Sequence, residues 1–543
     1  MLHIYYGRDC LDREAFLFEQ INERLEIIRQ NGSQGKRILL VVPAQYTLKA
    51  EEAAFSHLRK EGFLDLQIMS GNRLRHQILH ETGKPNRVTV NALGRTLLLR
   101  SCVRRSGTEL EAFQKIADSP DFLSMTGALI ARMKQNGLDP EALGEIIQRT
   151  DPTGIMRGKL SDIQRIYREY QSALEGKWMD SEDLLPEVSR KVSGSEMIRT
   201  SEIWYYDFYS HTPREIDFMG ELMLQAAGLS VILVGSAPED PDAALFEPAD
   251  RTQKALLDRA EALGVPHHRE QIPDRFLRTD RPDRLRSIEK QLFALPGLPA
   301  PEDKTDVSFA LIRAGNPYME SQTIAAEILK LCKEQGYAPE EIAVLTNDIS
   351  GRGTILRRMF TLYGIPCFLD EKRTVLHTPL IRAIASLLHV AADDRLSGDV
   401  LDFLKTGLVE LEDGSEEAHF ADTEEFENYL IQYHIRGDRF SKPFVYGAAV
   451  FGEEGLRKLE HTRARLDGLL TPFLQALDAA ATIREKSSVL YRFLSEELHM
   501  EEPLQRKALH LDEIGLSDAA QETRQMWNLF VDLLDQVVEL TGE

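Results

Sequence analysis

The sequence has few cysteines and no long apolar run. Only four of its 543 residues are cysteine, and Cys10, Cys102, Cys332 and Cys367 show no Cys-x-x-Cys or Cys/His spacing. This pattern is typical of reduced, mostly buried thiols in a cytoplasmic protein and indicates no metal or iron–sulfur site. No run approaches the roughly 20 apolar residues of a membrane helix. The first residues also lack the basic and apolar regions of a signal peptide, so we expect neither feature.

Basic residues are also in deficit. The chain has 65 Lys and Arg against 87 Asp and Glu, a formal net charge of −22. This excludes a histone-like or wholly basic nucleic-acid binder, but a local basic groove stays open because binding depends on how charge is distributed. Residues 87–105 contain no acid and five arginines, Arg87, Arg95, Arg100, Arg104 and Arg105. They form either a solvated helix face or a stripe that contacts phosphates, and the latter predicts salt-sensitive binding.

The remaining composition is that of a folded protein. It is 43% hydrophobic and 28% charged, which supports packed cores rather than disorder. Length alone suggests three or four domains at roughly 100–200 residues each. Nine acids and no Lys or Arg lie between Thr406 and Leu430, which favours a solvated acidic face or loop.

The first 300 residues alternate strand and helix patterns. The pattern predicts strands at residues 38–42, 66–69, 88–90, 203–206 and 231–234. It predicts helices at residues 15–29, 48–60 and 73–80, and another starting near Pro213. This order favours a parallel sheet with helical crossovers, interrupted by a helical insertion between about 93 and 190.

A second α/β pattern follows a proline-containing segment at residues 295–305. Strands are predicted at residues 307–313, 341–346 and 365–369, with helices at residues 320–335 and 355–363. After about residue 380 the pattern is helical and ends with an apolar helix at residues 527–540.

The loop after the first strand stands where a phosphate loop would be. A working loop needs the pattern G-x-x-x-x-G-K-[ST], whose glycines and lysine surround phosphates and whose hydroxyl holds Mg²⁺. Gly7 keeps the first position, but Asp12, Arg13 and Glu14 replace the second glycine, the lysine and the hydroxyl. An ordinary strand–loop–helix is therefore favoured over tight ATP binding. Asp207, alone at the end of a later strand, is favoured as structural over a Mg²⁺ ligand.

Several segments, taken in order, resemble the B subunit of AddAB-type (RexAB-type) helicase–nucleases. In the first part these are Gly7-Arg8 and residues 42–47, 159–170, 180–183 and 208–215, the last similar to the family's GF-x-x-FTP-x-E segment. Further on they are Glu320, residues 342–345, 363–370, Lys372-Arg373, and residues 377–380, 427–429 and 435–437. The resemblance covers nearly the whole chain and rests on the ordered set.

The resemblance implies a superfamily 1 helicase fold, with RecA-like parallel-sheet domains, helical insertions and degenerate motor motifs. It implies a first RecA-like domain at residues 1–92 plus 196–295 with an insertion at 93–195. A second, incomplete RecA-like domain would span residues 305–385, with a truncated insertion at 386–543. The family's nuclease carboxylates and iron–sulfur cysteines lie in a later region that this sequence lacks. We therefore expect a fragment or a truncated gene, without nuclease activity of its own.

The resemblance also implies a function. The subunit would act beside an AddA-type motor as a heterodimer that processes broken DNA ends, with ATP and Mg²⁺ used by the complex and no cofactor in this chain. In the family the decayed motor reads a recombination hotspot (Chi) in single-stranded DNA. The matching positions are Gln45, Thr47, Arg73 and Phe208, while Gly71 and His76 replace two aromatic positions of the pattern.

These residue types suit strand binding. Gln and Thr hydrogen-bond base edges, Arg pairs with guanine or phosphate, and Phe offers a stacking face. Predicted DNA contacts are therefore Gln45, Thr47, Arg73, Phe208, Arg95, Arg100 and Arg104, and predicted remnants of nucleotide binding are Gly7, Arg8 and Arg13. No catalytic or metal-binding residue is predicted. Two alternatives stay open: an ATPase or helicase active by itself, and a scaffold that only holds a motor partner.

Overall fold

The structure is a computed structural model that describes residues 1–30, 36–58, 64–106, 109–151, 154–295, 309–370, 374–409 and 416–541. Lys372, Arg373, most of the proline-containing segment and part of the acidic segment lie outside these residues. The chain forms two compact units, Met1–Leu311 and Ile312–Glu543, which we describe separately.

The first unit contains eight strands and twelve α-helices in its described residues. The strands are β1 (Leu2–Gly7), β2 (Arg37–Val42), β3 (Leu66–Ser70), β4 (Val88–Val90), β5 (Trp178–Asp180), β6 (Ser201–Tyr205), β7 (Gly228–Val234) and β8 (His267–Gln271). The helices are α1 (Arg13–Gln30), α2 (Thr47–Leu58), α3 (Gly71–Thr82), α4 (Ala92–Ser106), α5 (Pro120–Gln135), α6 (Pro140–Arg149), α7 (Ile155–Leu174), α8 (Leu184–Lys191), α9 (Glu196–Arg199), α10 (Pro213–Gln225), α11 (Glu247–Ala262) and α12 (Asp283–Gln291).

Six of these strands form one parallel sheet in the order β3-β2-β6-β7-β1-β8. Alternate side chains of each strand face opposite sides, so each face has its own core. On β2, Ile38, Leu40 and Val42 pack with α1 and α2, whereas Leu39 and Val41 pack with α3, α10 and α11. Both faces are covered, which explains why the inner strands are continuous apolar runs.

This architecture confirms the predicted α/β fold class and is compatible with a RecA-like, helicase-like domain. The strands predicted at 38–42, 66–69, 203–206 and 231–234 all form, with ends shifted by a few residues. Helix α10 begins at Pro213 as predicted, and a capping box fixes its start. The hydroxyl of Thr212 accepts the N–H of Glu215 (3.3 Å), while the Glu215 carboxylate accepts the N–H of Thr212 (2.9 Å).

Two strand assignments differ from the expectation. β4 does not join the main sheet but pairs with β5, so that Val90 lies opposite Asp180 in a separate two-stranded sheet. β8, which the sequence did not predict, forms one edge of the main sheet. Its five residues are all polar and exposed, so the apolar signal of a buried strand is missing. Polar side chains on an edge strand also disfavour pairing with another chain.

The second unit is helical in its described residues. Its helices are α13 (Pro317–Glu334), α14 (Ile349–Tyr363), α15 (Pro379–Ala392), α16 (Ser397–Leu404), α17 (Glu416–Gln432), α18 (Ala448–Ala479), α19 (Ile483–Arg492), α20 (Glu501–Glu513) and α21 (Ser517–Thr541). A large core joins α15 to α21 and includes Phe403, Phe426, Leu494 and Phe530. A smaller core joins α13 and α14 through Ala325, Ile328 and Phe360.

The three strands predicted for this unit were wrong for the residues described. Residues 309–313, 342–346 and 365–369 are extended or irregular, and none forms a ladder with another described segment. A strand needs a neighbour for its backbone N–H and C=O groups, so an apolar segment alone does not make one. Leu345 and Phe368 are 93% and 92% exposed. The second RecA-like domain, like the other domain boundaries, stays a prediction. Within the described ranges, no helix is long and apolar enough to cross a membrane.

Candidate nucleic-acid interface

The loop after β1 is closely packed, and two of its backbone N–H groups are hydrogen-bonded. Gly7 ends β1, and a Cβ at this position would lie 3.0 Å from the side chain of Leu11. The N–H of Leu11 donates to the carbonyl of Arg8 (3.0 Å), and the N–H of Asp12 donates to the carbonyl of Phe276 (2.6 Å). A phosphate loop works through free backbone N–H groups. The N–H groups of Leu11 and Asp12 are therefore already paired within the chain.

Arg8 is a buried link between three segments of the first unit. Its guanidinium donates to both carboxylate oxygens of Asp242 (2.8 and 2.7 Å), and also to Asp240 (3.2 Å) and Glu289 (3.1 Å). It lies 5.1 Å from the ring centroid of Phe246. The hydrogen bond from Arg8 holds the pKa of Asp242 below its usual value. With its donors used in this way, Arg8 stabilises the fold around the end of β1.

A carboxylate occupies the position of the missing hydroxyl. Glu14 accepts a hydrogen bond from the hydroxyl of Tyr46 and lies 3.4 Å from Nε2 of His57. Burial, reinforced by the bond to Glu14, raises the pKa of Tyr46. Arg13, in the position of the missing lysine, pairs with Asp9. The start of α1 therefore carries a carboxylate at the position of the missing hydroxyl. Gly7, Arg8 and Arg13 as remnants of nucleotide binding stay predictions.

Asp207 holds a backbone conformation that favours glycine. Its φ is +65°, and it stands at the glycine of the GF-x-x-FTP-x-E pattern when Phe208 is matched to the first phenylalanine. Burial raises the pKa of its carboxyl group, and the charges of Asp9 and Glu14 add to this effect. Among the described residues no group of three possible metal ligands occurs. The structural interpretation of Asp207 stays a prediction.

Four predicted DNA contacts lie at the carboxyl-terminal edge of the main sheet, where its strands end, and not beside the edge strand β8. Gln45 and Thr47 follow β2, Arg73 follows β3, and Phe208 follows β6. These three strands are adjacent and parallel, so their carboxyl ends lie side by side. In open α/β sheets, ligands bind in the crevice outside the carboxyl ends of the strands. The fold therefore brings together residues that are up to 163 positions apart in the sequence.

The local structure presents these residues in different ways. Gln45 is exposed in a short 3₁₀ turn, and the hydroxyl of Thr47 donates to the carbonyl of Ala44 (3.0 Å) as α2 begins. Arg73 is exposed in the first turn of α3, where its N–H donates to the Ser70 hydroxyl that caps the helix (3.3 Å). Phe208 is half-buried against the core. The edge thus offers polar, cationic and aromatic groups together.

A cavity of about 150 Å³ opens at this same edge. It is lined by Val42, Pro43, Ala44, Ser70, Gly71, Asn72, Arg75, Tyr205, Phe208, His211, Glu215, Phe218 and Met219. Pockets for drug-sized ligands measure roughly 300–1,000 Å³, so this one suits a smaller group. Gly71, at one replaced aromatic position, begins α3, and a Cβ there would meet no atom within 4 Å. His76, which stands at the other replaced aromatic position of the family pattern, is exposed.

The arginine-rich segment is divided between the core and the surface. Arg95 is 6% exposed, and its guanidinium donates to both oxygens of Asp180 (3.2 and 2.7 Å). Burial would raise the pKa of Asp180, but Arg95 and Lys134 outweigh it and lower the pKa. This placement argues against a direct contact between Arg95 and DNA. Arg100 and Arg104 stay predicted contacts; both are exposed, and both pair with Asp118 (3.0 and 3.2 Å).

Comparison with known proteins agrees with the fold. The protein-family description "ADDB, N-terminal" matches residues 4–289, which is more than half of the chain. With its RecA-compatible parallel sheet, the protein is of the helicase-like α/β class. The chain belongs to the AddB N-terminal family, which confirms the resemblance found in the sequence.

Curated relatives match over the whole chain. It is 26% identical over 559 residues to the B subunit of the ATP-dependent helicase/deoxyribonuclease of Clostridium perfringens (strain 13 / Type A), covering 100% of this chain and 47% of that relative. The same subunit from Heliobacterium modesticaldum is 28% identical over 568 residues, covering 100% and 45%. That from Alkaliphilus metalliredigens is 26% identical over 562 residues, covering 99% and 47%. The chain thus spans about half the length of these relatives.

Sequence reasoning missed several residues of the cavity. Asn72 and Arg75 gave no motif signal. Tyr205 was noted only within the strand predicted at 203–206, and His211 only as part of the resembling segment at 208–215. Arg75 lies two residues after the predicted contact Arg73 near the start of α3, and this proximity was its available signal. His211 stands at the second phenylalanine of the GF-x-x-FTP-x-E pattern, and this departure was its available signal.

Proposed function

We propose that this chain is the helicase-like part of the B subunit of an ATP-dependent helicase/deoxyribonuclease that processes broken DNA ends. We further propose that its first unit binds single-stranded DNA without turning over ATP. The observation that carries this proposal is the meeting of Gln45, Thr47, Arg73 and Phe208 at the carboxyl ends of three adjacent strands. Polar groups, a cation and an aromatic face at one edge suit a strand with exposed bases.

The state of the phosphate loop supports the absence of ATP turnover. The N–H of Asp12 is bonded within the chain, Arg8 is held by three carboxylates, and Glu14 places a negative charge at the start of α1. We therefore expect no DNA-stimulated ATP hydrolysis by the purified chain. Measurable turnover that is lost on changing Arg13 would favour the alternative of an ATPase active by itself.

Strand binding is tested with a fluorescent single strand and a matched duplex at several salt concentrations. We expect R73A and F208A each to weaken single-strand binding about 5–10-fold, since phosphate contacts and base stacking are lost. R168A is the control, because Arg168 is an exposed arginine on α7, outside the sheet edge. Absence of binding at every salt concentration would contradict the proposal.

The partner and the hotspot are finer parts of the proposal. We propose an AddA-type motor subunit as the partner, tested by co-purification of the two chains. If co-purification occurs while R73A and F208A leave DNA affinity unchanged, the scaffold alternative is favoured. Because Gly71 and His76 lack aromatic rings of the kind the pattern has, we expect general strand binding to dominate over reading of a Chi sequence. Selection from a random-sequence strand pool tests this, and enrichment of a single sequence would contradict it.

A further inference from the structure

A cleft of the first unit lies at the start of the two-stranded sheet that β4 and β5 form. It measures about 460 Å³ and shares no residue with the cavity at the carboxyl-terminal edge of the main sheet. It is lined by Pro85, Asn86, Arg87, Val88, Gly176 and Lys177. Two of these six residues are cations, and none is acidic or aromatic. The cleft is therefore a concavity of positive charge, distinct from the predicted strand-binding edge.

The cations of the cleft have no counter-ion among the residues that the structure describes. Arg87 and Lys177 are exposed, and so is Lys84, just before the cleft; none of the three forms an ion pair with a described residue. By contrast, Arg95 and Arg100 of the next helix each pair with an aspartate. The chain as a whole has a net charge of −22, so neighbouring cations without acids are an exception in it. Such a cluster attracts an external anion.

The two cations are placed side by side by the strands that follow them. Arg87 precedes Val88, Lys177 precedes Trp178, and Val88 lies opposite Trp178 in the β4–β5 ladder. The N–H of Val88 donates to the carbonyl of Lys177 (3.1 Å). Adjacent strands lie about 4.8 Å apart, so the two positive charges stand on neighbouring chains at close range. Like charges repel each other, and an anion bound between them relieves that repulsion.

Neighbouring contacts fix the loops that carry these cations. Nζ of Lys177 lies 4.5 Å from the ring centroid of Trp178, whose side chain is buried. Gly176 has a φ of +88°, a conformation that glycine adopts readily, and this turn leads from α7 into β5. Nζ of Lys191 donates to the carbonyl of Gly83 (2.7 Å) and so holds the loop between α3 and β4. A preformed arrangement lowers the entropy cost of binding an anion.

The lining of the cleft favours the backbone of duplex DNA over a single strand. Single strands bind by stacking their bases on aromatic side chains, and none of the six lining residues offers a ring. In a duplex the bases are stacked inside, and the outward phosphates are bound by side chains such as Arg, Lys and Asn. Arg87, Lys177 and Asn86 supply these three types.

We propose that this cleft binds the phosphate backbone of duplex DNA, through the guanidinium of Arg87 and the ammonium group of Lys177. The helix α3 connects the cleft to the strand-binding edge, since it begins there at Gly71 and ends at Thr82, shortly before the cleft. The inference rests on the proposed function, because the duplex in question is the one that continues into the single strand bound at that edge. Phosphate contacts carry no sequence information, so the cleft positions the duplex without reading it.

The test uses the whole 543-residue chain with a forked DNA, in which a duplex continues into a single strand, and with each of these parts alone. Fluorescence anisotropy measures affinity at several salt concentrations. Each phosphate contact on a duplex contributes about 0.9 to the slope of log affinity against log salt. We expect R87Q and K177Q each to weaken fork binding about 5-fold and to lower this slope by about 1. Binding of the single strand alone should stay unchanged.

The matched controls are R149Q and K254Q. Arg149 on α6 and Lys254 on α11 are exposed, lie outside the cleft, and form no ion pair within the described ranges. Both variants should keep the affinity and the salt slope of the unchanged chain. R87K and K177R retain the positive charge and should also keep the slope, a result that a purely structural role of these side chains does not predict. Circular dichroism checks that all variants fold.

A salt slope for the fork that is unchanged in R87Q/K177Q would overturn the inference. If R73A still weakens single-strand binding in that case, the proposed function stands. Displacement of the fork by inorganic phosphate at matched ionic strength would assign the cleft to a free anion, and loss of co-purification with the motor partner at unchanged DNA affinity would assign it to a protein; either result overturns the duplex assignment. Absence of all DNA binding by the unchanged chain would instead overturn the proposed function.

Discussion

At the scale of single residues, side chains of the same type contribute differently to stability when their burial differs. Arg95 and Arg100 lie five positions apart on α4 and pair with Asp180 and Asp118 respectively. The first pair is almost wholly buried, whereas each side chain of the second is about half exposed. A buried charge that loses its partner is destabilising, but an exposed pair contributes little.

We expect R95A to lower the free energy of unfolding by about 3–5 kcal/mol, because Asp180 would be left as a buried charge with fewer partners. R100A should change it by less than about 0.5 kcal/mol. Urea unfolding followed by circular dichroism measures both, and hydrogen exchange shows whether α4 and α7 are the helices that open. Equal effects of the two substitutions would contradict this difference.

Asp207 carries a second residue-scale prediction. A left-handed conformation costs a non-glycine residue roughly 1–2 kcal/mol, so D207G should stabilise the chain by about 1 kcal/mol. D207A removes the carboxylate but keeps the Cβ, and should be less stable than D207G by about 1 kcal/mol. Urea unfolding of the three proteins separates conformational strain from burial of charge. If D207A and D207G are equally stable, backbone strain is not the cause.

At the scale of elements, strands formed where apolar runs had neighbours and failed where they had none. Residues 38–42 form β2 because β3 and β6 lie on either side and helices cover both faces. Residues 342–346 are comparably apolar but have no ladder partner in the described structure. Hydrophobic periodicity predicts which secondary structure a segment is able to form. Whether a strand forms also depends on pairing with a distant segment, which a local sequence pattern does not contain.

The start of α3 carries the element-scale prediction. G71F places an aromatic ring at the sheet edge, in a position where a Cβ meets nothing within 4 Å. Stacking of one base contributes about 1–3 kcal/mol, so we expect single-strand affinity to rise about 5–10-fold. G158F is the matched control, because Gly158 on α7 also has open space around it but lies outside the edge. An equal gain in both variants would indicate non-specific stacking.

At the scale of the whole molecule, the net charge of −22 says little about DNA binding. Four of the predicted contacts lie at the carboxyl-terminal edge of the sheet of the first unit, where Arg73 and Arg75 stand at the start of α3. Charged residues far from this edge contribute to the net charge of the whole chain in the same way as those at the edge. The proposed binding should therefore weaken with salt even though the protein is acidic, since only local phosphate contacts release counterions.

The exposed apolar segments of the second unit give the whole-molecule prediction. Large exposed apolar side chains promote association, and Leu345 and Phe368 are more than 90% exposed. We expect the chain to self-associate as its concentration rises, and L345D/F368D to remain monomeric without loss of stability. Analytical ultracentrifugation measures this, with L48D, on an exposed leucine of α2, as the control. Association that is unchanged in the double variant would contradict the prediction.

The sequence by itself determined the α/β class, the start of α10 at Pro213 and the family. Apolar runs, capping residues such as Thr212 and Pro213, and an ordered set of segments are local or collinear properties that can be read along a chain. Only the tertiary structure decided which residues meet. It buried Arg95 against Asp180, joined β4 to β5, left three predicted strands unpaired within the described residues, and placed Arg75 and His211 in one cavity with Phe208. The physical reason is that burial, strand pairing and the convergence of distant side chains depend on contacts between segments far apart in sequence.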